Sequence, residues 1–224
     1  IATPLTYNYL GQEQFGLLMV VLSMIMLMNF ADLGLGYGLF NKIAEYDVSK
    51  DLIGLNKAIS STFYFLVGMA ILLFAVFNVI TYFISWDDLF NVSAIGVHHE
   101  ADIAMYVFAA CFCITLPFTL VMRVQLGYQE NHINQVWEGA GNLFSLAALM
   151  VAIKIKAGVP IIVLAQYGSQ CLFTVLNFLY QFLVKRPHLF PQIRFWSMAT
   201  FKNIFICSFI SEIIFEFVVN SNVW

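Results

Sequence analysis

Residues 159–184 read VPIIVLAQYGSQCLFTVLNFLYQFLV, a run that contains no charged residue. A helix of this length crosses the hydrocarbon core of a bilayer, which takes about 20 mostly apolar residues. Five polar side chains recur along the run at steps of four, four, three and four: Gln166, Gln170, Thr174, Asn177 and Gln181. This spacing places all five on one face of a helix. The run therefore predicts a membrane-spanning helix with one polar side.

The composition of the whole chain agrees with a membrane protein. Hydrophobic residues make up 61% of the 224 residues and charged residues only 10%, against about 45–50% and about 25% in ordinary soluble domains. Such a chain cannot cover its surface with polar groups in water, which excludes a soluble enzyme. A formal net charge of -3 and ten basic residues also exclude a nucleic-acid-binding protein.

The same length test predicts further membrane spans on both sides of this helix. Four of them cover residues of about 15–38, 58–84, 104–126 and 133–153. A fifth covers about 201–224, up to the end of the sequence. Residues 1–10 are expected to be the last turns of a helix whose beginning is missing. The sequence thus predicts an all-α integral membrane protein with a six-helix transmembrane bundle, truncated at both ends. We expect three parts: residues 1–184 as a first bundle, 185–200 as a cytoplasmic linker, and 201–224 as the start of a second bundle.

The distribution of basic residues predicts the orientation, because cytoplasmic loops retain Lys and Arg. Eight basic residues lie in or near alternate connections: Lys42, Lys50, Lys57, Arg123, Lys185, Arg186, Arg194 and Lys202. The other connections hold only two basic residues, Lys154 and Lys156. One of these connections is the acidic loop around Asp87 and Asp88. We therefore expect segments 41–57, 127–132 and 185–200 in the cytoplasm.

Two more predicted spans carry a polar stripe. The stripe of 133–153 consists of Asn134, Glu138, Asn142 and Ser145, and that of 201–224 consists of Ser208, Glu212, Glu216 and Asn220. One interpretation is helix-to-helix hydrogen bonding at about 1 kcal/mol apiece. The other is a shared hydrophilic cavity, which carboxylates deep in a span favour because ionisable groups there are expensive. Glu212 and Glu216, one turn apart, could share a proton or a cation.

Other residues in the spans are weaker candidates for function. Asp32 fits either a hydrogen bond at the cytoplasmic end of its span or a role in substrate or ion handling. Arg123 fits snorkelling to the headgroups or anion binding. Pro117 predicts a kink or hinge, and Gly34 with Gly38 forms a small-xxx-small pair that predicts close helix packing.

The remaining metal-binding and redox residue types give no clear motif. The four cysteines lie in apolar runs without paired spacing and are predicted to be small buried hydrophobes: Cys111, Cys113, Cys171 and Cys207. His98 and His99, followed by Glu100 and Asp102, fit a solvated acidic loop better than a metal site. No cofactor and no metal are expected.

Four short motifs resemble those of a known transporter family. They are PLTYNYLGQEQFGL at 4–17, FADLGLG at 30–36, NKIAE at 41–45 and QLGYQE at 125–130. Together they resemble the polysaccharide flippases of the Wzx type, such as those for O-antigen, in the multidrug/oligosaccharidyl-lipid/polysaccharide exporter superfamily. The order of the motifs and the spacing of the spans agree over essentially the whole chain.

The resemblance implies a transporter of 12 or 14 helices built as two six-helix bundles in the bacterial inner membrane. Its substrate would be a polyprenyl-pyrophosphate-linked oligosaccharide, moved from the cytoplasmic to the periplasmic leaflet by alternating access. The polar stripes match this task because a sugar chain needs a polar path through about 30 Å of hydrocarbon. A pyrophosphate needs cations, yet the candidates within the spans are mostly acidic. Either the cations lie elsewhere, or the acids serve coupling to H⁺ or Na⁺.

Three other functions are consistent with parts of the sequence. A cation-coupled multidrug exporter of the same superfamily would use a cavity of acids and aromatics. A membrane glycosyltransferase or polymerase would need a larger extramembrane surface than these loops offer. An inert scaffold would tolerate apolar residues at Glu138, Gln170 and Glu212.

Overall fold

The computed structural model describes residues 6, 7, 9–11, 14–16, 18–20, 35–83 and 98–208. All regular elements within these ranges are helices, and the described residues form no strand. We number them α1 (Leu35–Ser49), α2 (Leu52–Phe83), α3 (His98–Phe118), α4 (Leu120–Gly127), α5 (Asn131–Lys154) and α6 (Val159–Lys185). Residues 198–208 are the described part of a further helix, α7. The all-helical fold predicted from the sequence is confirmed.

Four helical stretches are long and apolar enough to cross a membrane. They are Leu52–Phe83, Glu100–Gly127, Asn131–Lys154 and Val159–Lys185, with mean hydropathies of 2.5, 2.1, 1.5 and 1.6. They correspond to the predicted spans 58–84, 104–126, 133–153 and 159–184. The other two predicted spans, 15–38 and 201–224, lie partly outside the described residues.

The predicted connection 41–57 is mostly helical. Helix α1 ends at Ser49 and α2 begins at Leu52, so the turn consists of Lys50 and Asp51. Lys50 has a left-handed φ of 56°, and the Asp51 N–H donates to the Tyr46 carbonyl at 3.0 Å, as in a Schellman helix end. Asp51 Oδ1 accepts the Gly54 N–H at 2.9 Å and so caps α2. The helices therefore extend beyond the apolar residues that a membrane requires.

The same backbone turn ends two more helices. Gln129 and Lys156 have φ values of 58° and 55°, and each is followed by a bond from the next N–H to a carbonyl five residues earlier: Glu130 to Gln125 at 2.7 Å and Ala157 to Ala152 at 3.0 Å. Left-handed backbone costs a non-glycine residue about 1 kcal/mol. Short reversals between helices thus recur at the turns after α1, α4 and α5.

The chain divides into two compact units. The first unit draws on Ile1–Asn29, Met69–Thr115 and Trp137–Val175. Its core includes Met105, Phe108, Leu149, Ile162 and Val163, all at most 3% exposed.

The second unit draws on Phe30–Gly68, Leu116–Val136 and Leu176–Trp224. Its largest buried side chains include Leu39, Ile43, Ile59, Leu120 and Phe182. The three segments predicted to be cytoplasmic, 41–57, 127–132 and 185–200, all belong to this unit. The orientation predicted from the basic residues places these three segments on the same side of the membrane.

The predicted break near Pro117 coincides with an interruption of the helix. Helix α3 ends at Phe118 and α4 begins at Leu120, with Thr119 between them. The Thr119 hydroxyl donates to the Leu116 carbonyl at 2.7 Å, and the Met122 N–H donates to the Thr119 carbonyl at 3.0 Å. Pro117 has no backbone N–H to continue the helical hydrogen-bond pattern. The two bonds instead satisfy the carbonyls of Leu116 and Thr119.

Candidate functional site

A polar pocket lies within the first unit. Its volume is about 270 Å³. The lining residues are Thr6, Leu18, Met19, Asn142, Ser145, Leu146, Leu149, Gln166, Tyr167 and Gln170. Four of them, on α5 and α6, belong to the stripes predicted from the sequence. The pocket therefore receives amide and hydroxyl groups from two helices that are apolar enough to span a membrane.

Hydrogen bonds between α5 and α6 orient the polar side chains of the pocket. Gln170 Nε2 donates to Asn142 Oδ1 at 3.1 Å, and the Ser145 hydroxyl donates to the Gln166 carbonyl at 3.4 Å. The Thr174 hydroxyl donates to the Gln170 carbonyl at 2.9 Å. Two amides hold more donors and acceptors than one mutual bond uses. Asn142 and Gln170, which are both exposed, can therefore bind a ligand as well as each other.

Local backbone features bring α5 and α6 together at the pocket. Gly141 lies against the Phe173 side chain, where an added Cβ would approach it to 3.2 Å. Gln166 and Tyr167 lie in a π-helical turn, Leu164–Gly168. Such turns widen a helix by one residue and often occur at functional sites. The turn also changes which α6 side chains line the pocket, which periodicity alone does not predict.

The C-terminal half of the same α6 stripe contributes to a buried amide cluster in the second unit. Gln125 Nε2 donates to Asn177 Oδ1 at 2.7 Å, and Asn177 Nδ2 donates to Gln125 Oε1 at 3.2 Å and to Asn134 Oδ1 at 3.4 Å. Gln125 and Asn177 are 0% and 2% exposed. Asn134 and Asn177 thus serve helix-to-helix bonding here, the first of the two interpretations given for the stripes.

Gln181 lies one turn beyond Asn177 and differs from it. Its side chain is fully buried, and neither its Nε2 nor its Oε1 has a hydrogen-bond partner among the residues that the structure describes. It lies in a second π-helical turn, Tyr180–Lys185. A buried amide without partners destabilises the conformation that buries it.

Arg123 packs against α1 in the second unit. A Cβ added at Gly36 would collide with the Arg123 guanidinium, so the last glycine of FADLGLG makes room for this side chain. Arg123 also lines a small cavity with Thr62 and Thr119. Arg123 therefore lies against residues of neighbouring helices. An arginine that only extends its charge to the lipid headgroups needs no such neighbours.

An ion-pair cluster in the second unit joins the α4–α5 turn to the end of α6. Arg186 makes two bonds to the Glu130 carboxylate, at 2.8 and 3.0 Å, and Lys185 Nζ lies 2.7 Å from Glu130 Oε2. The Arg186 guanidinium also lies 3.7 Å from the centre of the Tyr128 ring. The Arg186 hydrogen bonds, followed by those of Lys185, lower the pKa of Glu130 to about 2, whereas burial raises the pKa of Tyr128 to about 12.

Glu100, which follows His98 and His99, has a structural role in the first unit. Glu100 Oε2 accepts the Val159 N–H at the start of α6, at 3.3 Å, where a carboxylate is favourable to the helix dipole. The Tyr9 hydroxyl donates to the nearby Ala157 carbonyl at 3.0 Å. Among the described residues, no group of His, Cys, Asp and Glu is arranged to hold a metal ion.

Of the predicted acidic site residues, Glu138 alone lies among the described residues. Glu138 is exposed on α5, and its side chain does not line the pocket. Asp32, Glu212 and Glu216 lie outside the described residues, as does Gly34. Gly38 approaches α7 closely, as predicted for a small residue: its N–H donates to the Ser208 hydroxyl at 3.0 Å, and a Cβ would collide with that side chain.

The sequence reasoning did not identify the roles of Gln125, Glu130 and Arg186. Gln125 and Glu130 both belong to the QLGYQE motif, which was used only for the resemblance. The available signal was the opposite charge of Glu130 and of the basic pair at 185–186, which lie in two segments predicted to be on the same side of the membrane. Comparisons of the chain with known protein families, curated proteins and solved structures give no match.

Proposed function

We propose that this chain is the first bundle of a multi-pass transporter of the bacterial inner membrane. It flips a lipid-linked oligosaccharide from the cytoplasmic to the periplasmic leaflet for surface polysaccharide synthesis. The pyrophosphate-linked polyprenyl tail stays in the bilayer while the sugars pass through the protein. A second six-helix bundle would complete the transporter, and alternating access would be a rocking of the two bundles.

The observation that carries the proposal is the polar pocket formed by Asn142, Ser145, Gln166 and Gln170. In a membrane-spanning helix, amides and hydroxyls that are not enclosed by protein are costly unless they bind water or a ligand. Sugar hydroxyls both donate and accept hydrogen bonds, as amides do. A pocket lined by amides and hydroxyls can therefore replace the water around a sugar.

The lining favours sugars over cationic drugs. Among the described residues, the pocket lining contains no carboxylate and one aromatic residue, Tyr167. An exporter of amphipathic cations would use acids and aromatic faces. We therefore place the sugar portion of the substrate, and not its pyrophosphate, in this pocket. Coupling to H⁺ or Na⁺ through Asp32, Glu212 or Glu216 is compatible with this assignment.

Apolar replacement of the two exposed pocket amides tests the proposal. Asn142→Leu and Gln170→Leu are introduced singly and together in a strain in which the gene is otherwise deleted. One hydrogen bond to a substrate contributes about 1 kcal/mol, or roughly fivefold in affinity. We expect surface polysaccharide to fall severalfold in each single variant and further in the double variant. The lipid-linked precursor should accumulate in the inner membrane.

Asn78→Leu is the matched control. Asn78 is an exposed amide on α2 that donates to the Phe74 carbonyl of its own helix, at 2.7 Å. This variant should export normally at equal protein level. Normal export by the double pocket variant would contradict the proposal. Loss of resistance to cationic dyes with normal surface polysaccharide would instead support the multidrug exporter.

A further inference from the structure

The last turn of α6 combines an irregular backbone, an unpartnered amide and an ion-pair cluster. Residues Tyr180–Lys185 are π-helical, and the Arg186 N–H donates to the Gln181 carbonyl at 2.8 Å, five residues back. This backbone bond joins Gln181, whose side-chain amide has no partner among the described residues, to Arg186, which belongs to the ion-pair cluster. All of these features lie within the second unit.

The segment that follows this turn is fixed to α2. We call residues 186–197 the strap. The Gln192 N–H donates to the Ser60 hydroxyl at 3.1 Å, and the Ser197 N–H donates to the Ser61 hydroxyl at 3.0 Å. Leu189, between these points, is fully buried. The strap is thus packed against α2, and the assignment of 185–200 as a cytoplasmic linker stays a prediction.

Glu130 holds the beginning of the strap. It binds both Lys185 and Arg186, at 2.7 to 3.0 Å, and Arg186 also stacks on Tyr128. A bidentate bond between Arg and a carboxylate is among the stronger polar contacts in proteins. Removing Glu130 would leave two neighbouring cations without their shared carboxylate.

Gln181 opposes this arrangement. Both polar atoms of its side chain are buried without a partner, and burial of unsatisfied polar groups destabilises a conformation. A π-helical turn also holds one more residue than an α-helical turn. If the turn became α-helical, the residues after it would rotate by about 100° about the helix axis. Lys185 and Arg186 would then leave Glu130.

We propose that the end of α6 is a two-state latch. In the latched state, Tyr180–Lys185 is π-helical, Glu130 holds Lys185 and Arg186, and Gln181 is buried without partners. In the released state, the turn is α-helical, the ion pairs are broken, and the strap separates from the α4–α5 turn. The ion pairs stabilise the first state, and the orphaned amide favours the second. This latch concerns conformation and does not depend on which substrate the protein transports.

Distance measurement between two spin labels tests the latch in the full-length protein in lipid nanodiscs. The labels are attached at His132→Cys and His188→Cys, which replace exposed side chains outside the ion-pair cluster. The four native cysteines are first replaced by alanine. The reference protein should give one main distance. Glu130→Gln should raise the ratio of a longer distance to the main one about tenfold, equivalent to about 1.4 kcal/mol.

A second substitution tests the opposing half of the latch. Gln181→Leu removes the unpartnered amide, so Glu130→Gln with Gln181→Leu should return to the single main distance. The matched control is Glu45→Gln, which breaks an exposed pair with Lys42 at 2.7 Å and should change nothing. Should Glu130→Gln not fold, Arg186→Gln breaks the same pair and carries the same expectation.

Two results would overturn the latch. One is an unchanged distance distribution in both Glu130→Gln and Arg186→Gln. The other is a longer distance that persists after Gln181→Leu is added. Neither result depends on transport, so the transport proposal is judged separately by the export assay.

Discussion

Replacing the partners Gln125 and Asn177 by leucine, singly and together, gives a quantitative test of the buried amide cluster. Asn177→Leu deletes the bonds at 2.7 and 3.2 Å to Gln125 and leaves the fully buried Gln125 amide without that partner. Each orphaned group costs about 1–3 kcal/mol in soluble proteins, whereas measured side-chain bonds in membranes average about 0.6 kcal/mol. For two groups on one buried side chain, we expect a loss of about 2 kcal/mol.

The reciprocal change should cost less. Gln125→Leu leaves Asn177 Nδ2 within 3.4 Å of Asn134 Oδ1, so one of its two polar groups keeps a partner. We expect a loss of about 1 kcal/mol. The double variant replaces both amides by apolar groups of similar shape, which is often nearly neutral. It should therefore be more stable than Asn177→Leu alone.

Unfolding in mixed detergent micelles, with a titration of sodium dodecyl sulfate followed by circular dichroism, supplies the four free energies. With single losses of about 2 and about 1 kcal/mol and a nearly neutral double variant, the coupling between the two sites should be about 3 kcal/mol, because contacting residues are strongly non-additive. Asn78→Leu serves as the control, since its amide bonds within its own helix. If the double variant loses the sum of the two single losses, Gln125 and Asn177 do not form the pair described here.

Three further predictions concern stability. Gly38→Ala should destabilise the protein by about 1–3 kcal/mol, because the added methyl group overpacks against Ser208. Gly68 has open space around it, so Gly68→Ala should stabilise α2 by up to about 1 kcal/mol. Thermal unfolding in detergent compares the two variants. Lys50→Gly should raise the midpoint of unfolding, because glycine adopts the φ of 56° without strain, and an equal or lower midpoint would contradict this. Because the pKa of Glu130 is lowered from 4.5 to about 2, its contribution is complete above the unfolded-state pKa and is lost as the pH falls from about 5 towards 2. Glu130→Gln should flatten that part of the stability profile, and an unchanged acid slope in this variant would refute the role of the pair.

The sequence predicted the four described spans because apolar length is a local property that needs no knowledge of neighbours. It did not predict the boundaries of the helices. Helix α2 begins at Leu52, six positions before the predicted start at 58, because Asp51 caps it and polar residues extend it beyond the apolar run. Capping and reversal at Lys50 depend on backbone geometry, which hydropathy does not contain.

The candidate site was predictable only as a set of faces. The periodicity of α6 placed Gln166, Gln170 and Asn177 on one side, but it could not say what would lie opposite each of them. The partners come from residues far away in sequence, such as Gln125 for Asn177. Two π-helical turns also shift the register of α6. The roles of Glu130 and Arg186 were missed for the same reason, since ion pairing between turns is a tertiary property.

The same α6 stripe thus has two physically different ends, and they should respond differently to substitution. Gln170 is exposed and lines a pocket, so a leucine there leaves no buried group orphaned and should change export without lowering stability. Asn177 is buried against Gln125, so a leucine there should lower stability by about 2 kcal/mol. Variants at the two positions, measured for both export and unfolding, therefore separate the cavity interpretation from the helix-packing interpretation. Equal loss of stability at both positions would assign the whole stripe to helix packing and remove the main support for the transport proposal.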